Sequence, residues 1–221
     1  MNLKPIRTRD GSFTIYSAEY NEHYHSLKDG ALKESLYKHV IPAFESVGKG
    51  GDLNILDICF GIGFNTLTTI YYAKTIGYEG KISIYSPELN SELIESLNLL
   101  PYPQEFLANL DVISKVSKEG RYEDSKISVE VFIGDATEYV KTFQDKFDII
   151  YQDAFSSKKN PELWSEEFFK NLYRSMKSGG ILTTYSQARG VRETMKSVGF
   201  ELGEQEIEKS LDIRSGTLGL K

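Results

Sequence analysis

The stretch "LDICFGIGFN" (56–65) joins the end of a short apolar run, "LNILDI" (53–58), to the start of a helical pattern, "FNTLTTIYYAKTIG" (64–77), through Gly61 and Gly63. A strand that passes through a glycine turn into a helix is one half of a βαβ unit. Glycine lets the backbone run close to a ligand, and the amides of the helix start face that ligand. A dinucleotide-binding turn carries a third glycine, and here that place holds Thr66. An acid ahead of the turn, Asp57, suits a cationic amino-acid moiety better than a pyrophosphate. The turn therefore favours S-adenosylmethionine over NAD, with Gly61, Gly63 and Asn65 against the cofactor. A glycine turn needed only for packing is the alternative.

Working outward, the same rhythm recurs. "KISIYS" (81–86), "ISVEVFI" (127–133), "FDIIYQ" (147–152) and "GILTTYS" (180–186) are apolar runs, each followed by a helical pattern. Such alternation predicts a parallel sheet covered on both faces. The expected fold is α/β and Rossmann-like, with a mostly parallel seven-stranded sheet. The tail from Gly199 can supply the last two strands as a hairpin. Ahead of the core, Asp10-Gly11 predicts a hairpin, and "DGALKESLYKHVIPAFESVG" (29–48) a helix bent at Pro42 and ended by Gly48. The chain thus reads as a single domain over 1–221, with 1–50 a hairpin-and-helix extension and 51–221 the Rossmann-like core. Only 101–126 breaks the rhythm, and it is expected to form an extra helix or two beside the site.

The strand ends carry the chemistry. Glu88, after the second core strand, can accept from both ribose hydroxyls, or serve only as an acid at a helix start. Asp135 can accept from an adenine amino group while Ala136 leaves room for the ring, or it can cap the next helix. Three acids at successive strand ends, Asp57, Glu88 and Asp135, are harder to obtain by chance than any one of them. Asp153 stands at the fourth strand end, at the switch point where doubly wound sheets bind ligands. There it can position a nucleophilic amine. The loop that follows, "DAFSSKKNPELWSEEFF" (153–169), offers Lys158, Lys159, Asn160 and Trp164 toward a substrate, and Arg189 and Arg192 are further candidates for phosphate contacts. Trp164, Phe168, Leu172 and Met176 recur at four-residue steps and read as one helix stripe, with Trp164 able to reach the pocket. His23 and His25 have strand-like ligand spacing but no further ligands, so no metal is expected. Cys59 lacks the company of a catalytic thiol and reads as packing.

Composition excludes several classes. The chain has 221 residues, 40% of them apolar, and a single cysteine, so an intramolecular disulfide is excluded and a reducing cytoplasm is expected. No run approaches the ~20 apolar residues of a membrane span, and the N-terminus lacks a signal-peptide core. A net charge of −6 argues against broad nonspecific nucleic-acid binding, though a local basic patch remains compatible with it.

The segments "YSAEYNEHYHSLKDGALKES", "LDICFGIGFNTL", "DAFSSKKNPELWSEEFF" and "TYSQARGVRETMKSVGF" resemble the MnmC-like methyltransferase family over nearly the whole chain. The family usually has glycine where this chain has Cys59. The resemblance implies a class I S-adenosylmethionine-dependent methyltransferase fold and methylation of 5-aminomethyluridine, with or without the 2-thio group, at the tRNA wobble position. It implies the stand-alone methyltransferase form, without the FAD-binding oxidoreductase half, and tRNA as partner. Two other readings stay open. One is a small-amine methyltransferase or an aminopropyltransferase of the spermidine synthase type, and the other is a noncatalytic cofactor- or RNA-binding module.

Overall fold

The N-terminal elements fold much as their turn residues dictate. The computed structural model describes residues 3–48 and 50–221. Strands β1 (Ile6–Arg7) and β2 (Phe13–Thr14) pair antiparallel around Asp10-Gly11. There the Asp10 carboxylate accepts from Thr8 Oγ1 at 2.7 Å and from the Ser12 amide at 3.0 Å. A second small hairpin joins β3 (Tyr16–Ser17) to β4 (Glu22–His23). Helix α1 (Ala31–Glu34) widens into a π-helical turn, Ser35–Val40, before α2 (Ile41–Val47). The expected irregularity at Pro42 is this wide turn. Proline has no N–H to give the carbonyl four residues back, and Gln205 Nε2 donates to Lys38 O instead.

The core follows as β5 (Leu53–Ile58), α3 (Phe64–Thr75), β6 (Ile82–Glu88), α4 (Ser91–Ser96), α5 (Leu110–Glu119), β7 (Arg121–Glu123), β8 (Ile127–Ile133) and α6 (Ala136–Lys141). It continues through β9 (Phe147–Gln152), α7 (Glu166–Ser175), β10 (Met176–Thr184), α8 (Arg189–Ser197), β11 (Glu201–Glu204) and β12 (Thr217–Leu220). The strand order is β11-β12-β10-β9-β5-β6-β8-β7, with the five strands from β10 to β8 parallel. From β5 the chain first builds outward through β6, then returns to β9 on the other side. The carboxyl ends of β5 and β9 therefore flank the switch point.

Side chains alternate across the sheet. Ile55, Ile149 and Ile181 face a cluster containing Phe13, Ile15, Val40, Phe44 and Leu67. Their neighbours Leu56, Ile150 and Leu182 face Phe168, Leu172 and Met195. The first 48 residues thus supply part of one core layer. Among the described residues, no helix is long and apolar enough to cross a membrane.

Two expectations are corrected, the strand count and the Trp164–Met176 stripe, while the extra helix expected within 101–126 is present as α5. The main sheet has eight strands among the described residues, not seven, because β7 pairs antiparallel with β8 at one edge. The 101–126 segment contributes α5 and that edge strand, and none of its residues lines the cavity described below. It buttresses the glycine turn from behind, with Tyr102 OH donating to Ile62 O at 3.0 Å. The stripe from Trp164 to Met176 is not one helix. Ser165 caps α7 by accepting from Phe168 N at 3.2 Å, so Trp164 precedes the helix in a 3-10 turn and Met176 opens β10.

Candidate functional site

A cavity of about 1290 Å³ opens at the carboxyl ends of the parallel strands. Each strand end delivers one part of its wall: Cys59–Gly61 after β5, Glu88 at the end of β6, Gly134–Ala136 after β8, Asp153–Ser156 after β9, and Tyr185 and Gln187 after β10. The N-terminal extension closes the opposite side with residues between Ser17 and Asp29, and Arg214 and Ser215 reach it from the tail.

The glycine turn is shaped for close approach. Gly61 and Gly63 have φ of +55° and +76°. A Cβ at Gly61 would stand 3.1 Å from the Tyr24 ring, and one at Gly63 would stand 2.9 Å from Ile113 Cδ1. Cys59 shares this left-handed conformation, with φ +69°, which accounts for glycine at the same place in the family it resembles. Glu88 is buried and ties the turn to β6: its carboxylate accepts from Gly61 N and Asn90 N, both at 2.9 Å. Burial pushes its pKa up, against the pull of those amides. Each carboxylate oxygen retains a further acceptor position. Asp135 caps α6, accepting from Thr137 N at 2.7 Å, and also lines the cavity beside Ala136.

The centre of the site is a chain of polar side chains. Asn65 Nδ2 donates to Asp57 Oδ1 at 3.1 Å and to Asp153 Oδ2 at 2.9 Å. Both amide hydrogens are thereby used, and Asn65 Oδ1 is left buried without a partner. Asp57 is 1% exposed. Burial raises its pKa well above the ordinary range, and the charge of Asp153 adds to the effect. On its other oxygen, Asp153 meets His39 Nε2 at 3.4 Å.

Aromatic rings and a tether shape the approach to Asp153. Tyr20 stacks on Phe155 at 4.7 Å between centroids, and Tyr24 meets the same ring edge-on at 5.0 Å. Glu22 accepts from the Ser156 amide at 3.0 Å and from its hydroxyl, which fastens the β3–β4 hairpin to the loop after β9. Trp164 Nε1 donates to Phe155 O at 2.7 Å.

Of the residues singled out from the sequence, Gly61, Asn65, Glu88, Asp135, Ala136, Asp153 and Asn160 meet in the cavity wall. Asp57 and Gly63 lie behind it, the first beneath Asn65 and the second against Phe60 and Ile113. Trp164 is 6% exposed and anchors the loop from below, so it does not reach the pocket. Lys158 lies in an exposed turn, Lys159 beside it, and neither lines the cavity. Arg189 and Arg192 stand outside it too, paired with Glu193 at 2.7 Å and Glu204 at 3.5 Å. Sequence reasoning missed His39, Tyr24 and Glu22. His39 sits among the apolar positions of a helical pattern, and nothing local sets it apart.

Comparison with known proteins converges on one family. A family model described as S-adenosyl-L-methionine-dependent methyltransferase matches residues 101–213. An uncharacterized protein of Methanocaldococcus jannaschii is 28% identical over 205 residues, covering 91% of this chain and 55% of that protein. The tRNA 5-methylaminomethyl-2-thiouridine biosynthesis bifunctional protein MnmC of Leptospira interrogans is 29% identical over 218 residues, covering 88% of this chain and 32% of that protein. The chain therefore spans about half the length of the first relative and about a third of the second. The crystal structure of MNMC2 from Aquifex aeolicus matches with a TM-score of 0.83 at 29% identity, covering 99% of this chain and 70% of that one.

Proposed function

The chain belongs to the S-adenosyl-L-methionine-dependent methyltransferase family, and from that premise we propose that it methylates the primary amine of 5-aminomethyluridine, with or without the 2-thio group, at the tRNA wobble position. The product is 5-methylaminomethyluridine. The Leptospira relative, named for tRNA 5-methylaminomethyl-2-thiouridine biosynthesis, and the likeness to the Aquifex protein support this substrate. The observation that carries the reading is the pair Asp153 and Asn65. Both residues line the cavity, Asn65 Nδ2 donates to Asp153 Oδ2 at 2.9 Å, and the carboxylate held in this way is an acceptor suited to the N–H groups of an amine.

The residues present fit the cofactor. The left-handed glycine turn leaves a cradle that a Cβ would fill, and the donors and acceptors around it match the parts of S-adenosylmethionine. Glu88 would take the ribose hydroxyls, Asp135 and Ala136 the adenine, and Gly61 the amino-acid portion. Gly63 shapes the turn, and Asp57 holds Asn65 from beneath. When bound, the cofactor supplies an electrophilic methyl group on a sulfonium. Asp153 accepts one amine hydrogen bond and so points the nitrogen lone pair, which is a gain in orientation. Asn160 and the aromatic ledge of Tyr20 and Phe155 would contact the base. Lys158, Lys159, Arg189 and Arg192 form an outer ring for phosphates. The two arginine ion pairs are exposed and weak, so they can exchange carboxylate for phosphate. The same reading takes residues 1–221 as one methyltransferase domain.

One observation favours a second reading. Glu19, Glu22, Glu162 and Asp153 all line the cavity, whereas Lys158 and Lys159 do not. An acidic lobe suits a small polycationic amine, as a methyl or aminopropyl acceptor. The deciding experiment is transfer from methyl-labelled S-adenosylmethionine to tRNA carrying 5-aminomethyluridine, with nucleoside analysis of the digest and a parallel panel of free diamines. Label in 5-methylaminomethyluridine is the expected result. Label only in free amines, with the tRNA unmodified, overturns the tRNA reading.

A further inference from the structure

His39 is a fully buried histidine set against Asp153. It is 0% exposed and lies in the π-helical turn, a distortion frequently found at functional sites. Its Nδ1 lies 2.9 Å from Thr183 Oγ1. Its Nε2 has no hydrogen-bond partner, yet points at Asp153 Oδ1 from 3.4 Å. A buried ring nitrogen left unsatisfied is costly, and here it adjoins the carboxylate that faces the amine.

The reaction itself raises a proton question. A primary amine with a pKa of ~10.4 is an ammonium at neutral pH and has no lone pair to offer. Resting on the amine reading above, we infer that His39 accepts, through Asp153, the proton the substrate must shed. The tautomer this relay requires donates Nδ1–H to Thr183 Oγ1, which leaves a bare lone pair on Nε2. One ammonium proton passes to the Asp153 carboxylate and from it to Nε2, which restores the carboxylate. The freed lone pair then forms the new N–C bond while the S–C bond breaks and leaves its electrons on sulfur. The imidazolium returns its proton to solvent by way of Asp153 once the product has left. His39 touches no reacting atom, so it is a positioning and proton-accepting residue behind Asp153.

The groups packed about this ring are few. Asp153 follows β9, and Tyr151 within β9 meets the ring edge-on at 5.7 Å. Asp57 is reached through Asn65. Strand β10 contributes the uncharged Thr183, and α3 the uncharged Asn65 and Thr69. On the histidine's own helix, Lys38 and Glu34 are paired with each other, and Lys38 also with Asp29.

The test is the pH profile of kcat/KM for wild type, His39→Asn and His39→Gln on tRNA carrying 5-aminomethyluridine, with S-adenosylhomocysteine affinity measured alongside. Both variants should lose roughly 30- to 1000-fold at pH 7, keep cofactor affinity within about threefold, and recover progressively as pH approaches the amine's own pKa of ~10.4. A loss of equal size at every pH, or none at pH 7, overturns the inference while leaving the amine reading intact. Absence of transfer by wild type overturns the amine reading, and this inference with it. Should neither variant hold cofactor, the wild-type ¹⁵N-histidine spectrum decides, since the chain has three histidines. The His39 ring must gain its proton across the acidic limb of the rate profile, and a ring that stays neutral there overturns the inference.

Discussion

Cys59 holds a backbone conformation, φ +69°, that costs a residue other than glycine about 1–2 kcal/mol. Cys59→Gly should therefore raise the thermal midpoint by roughly 2–4 °C, read by calorimetry. Gly63→Ala should do the opposite. Its Cβ would add the same backbone cost and stand 2.9 Å from Ile113 Cδ1, and Ile113→Val should restore part of the loss. The three acids should separate in kinetics. Asp153→Ala is expected to lower kcat by 10²-fold or more with cofactor affinity nearly unchanged. Asp57→Ala and Glu88→Ala should chiefly weaken cofactor binding, Asp57 through Asn65, which it holds. Full turnover by Asp153→Ala would remove the role assigned to it. The sequence placed Asp57, Glu88, Asp135 and Asp153 at or near strand ends because each short apolar run gives way there to a turn and a helical pattern. It did not reveal His39, since a burial partner 114 positions away in the chain leaves no local mark.

The helix that carries His39 is itself held by charge. Lys38 Nζ donates to Asp29 Oδ2 at 2.7 Å and to Glu34 Oε1 at 2.8 Å, all three nearly buried. Removing the cation leaves the buried Asp29 and Glu34 carboxylates without their shared countercharge, so Lys38→Met should cost about 3–5 kcal/mol in denaturant unfolding. Burial alone would raise the Glu34 pKa, but the His25 ring 3.8 Å away and the charge of Lys38 outweigh it and hold the group at about 2. A carboxylate with a depressed folded pKa stabilises above its unfolded value, ~4.3, and that contribution drains away as pH falls from there toward 2. The Glu34→Gln variant should therefore show a flatter stability curve than wild type over that acidic window. At this scale, helices and central strands were legible from apolar period and glycine stops. Strand β7 was not, because three residues with one buried position carry no period. Helix α7 was misread at both ends because Trp164 and Met176 keep the four-residue spacing while lying outside the Ser165 cap and the turn into β10.

Across the whole molecule, the N-terminal hairpins and helix are built into the core rather than appended to it. Phe13, Ile15, Val40 and Phe44 pack in the same layer as Ile55 and Ile149, so thermal unfolding should show one cooperative transition that S-adenosylhomocysteine shifts upward. Two separate transitions would count against reading 1–221 as a single domain. Gln205 extends this integration to the tail. Its side chain donates to Lys38 O and accepts from Gly216 N at 2.6 Å, bridging the π-helical turn and the start of β12. The cavity is walled by residues 17–38 on one side and meets Arg214 and Ser215 on the other. At about 5–20 residues per second, translation separates Lys38 from Arg214 by roughly 10–35 s. A nascent chain can thus form its glycine turn and early strands while the far wall is still unwritten. The cavity therefore has all of its walls only once Ser215 has been made, and no shorter nascent chain can close it.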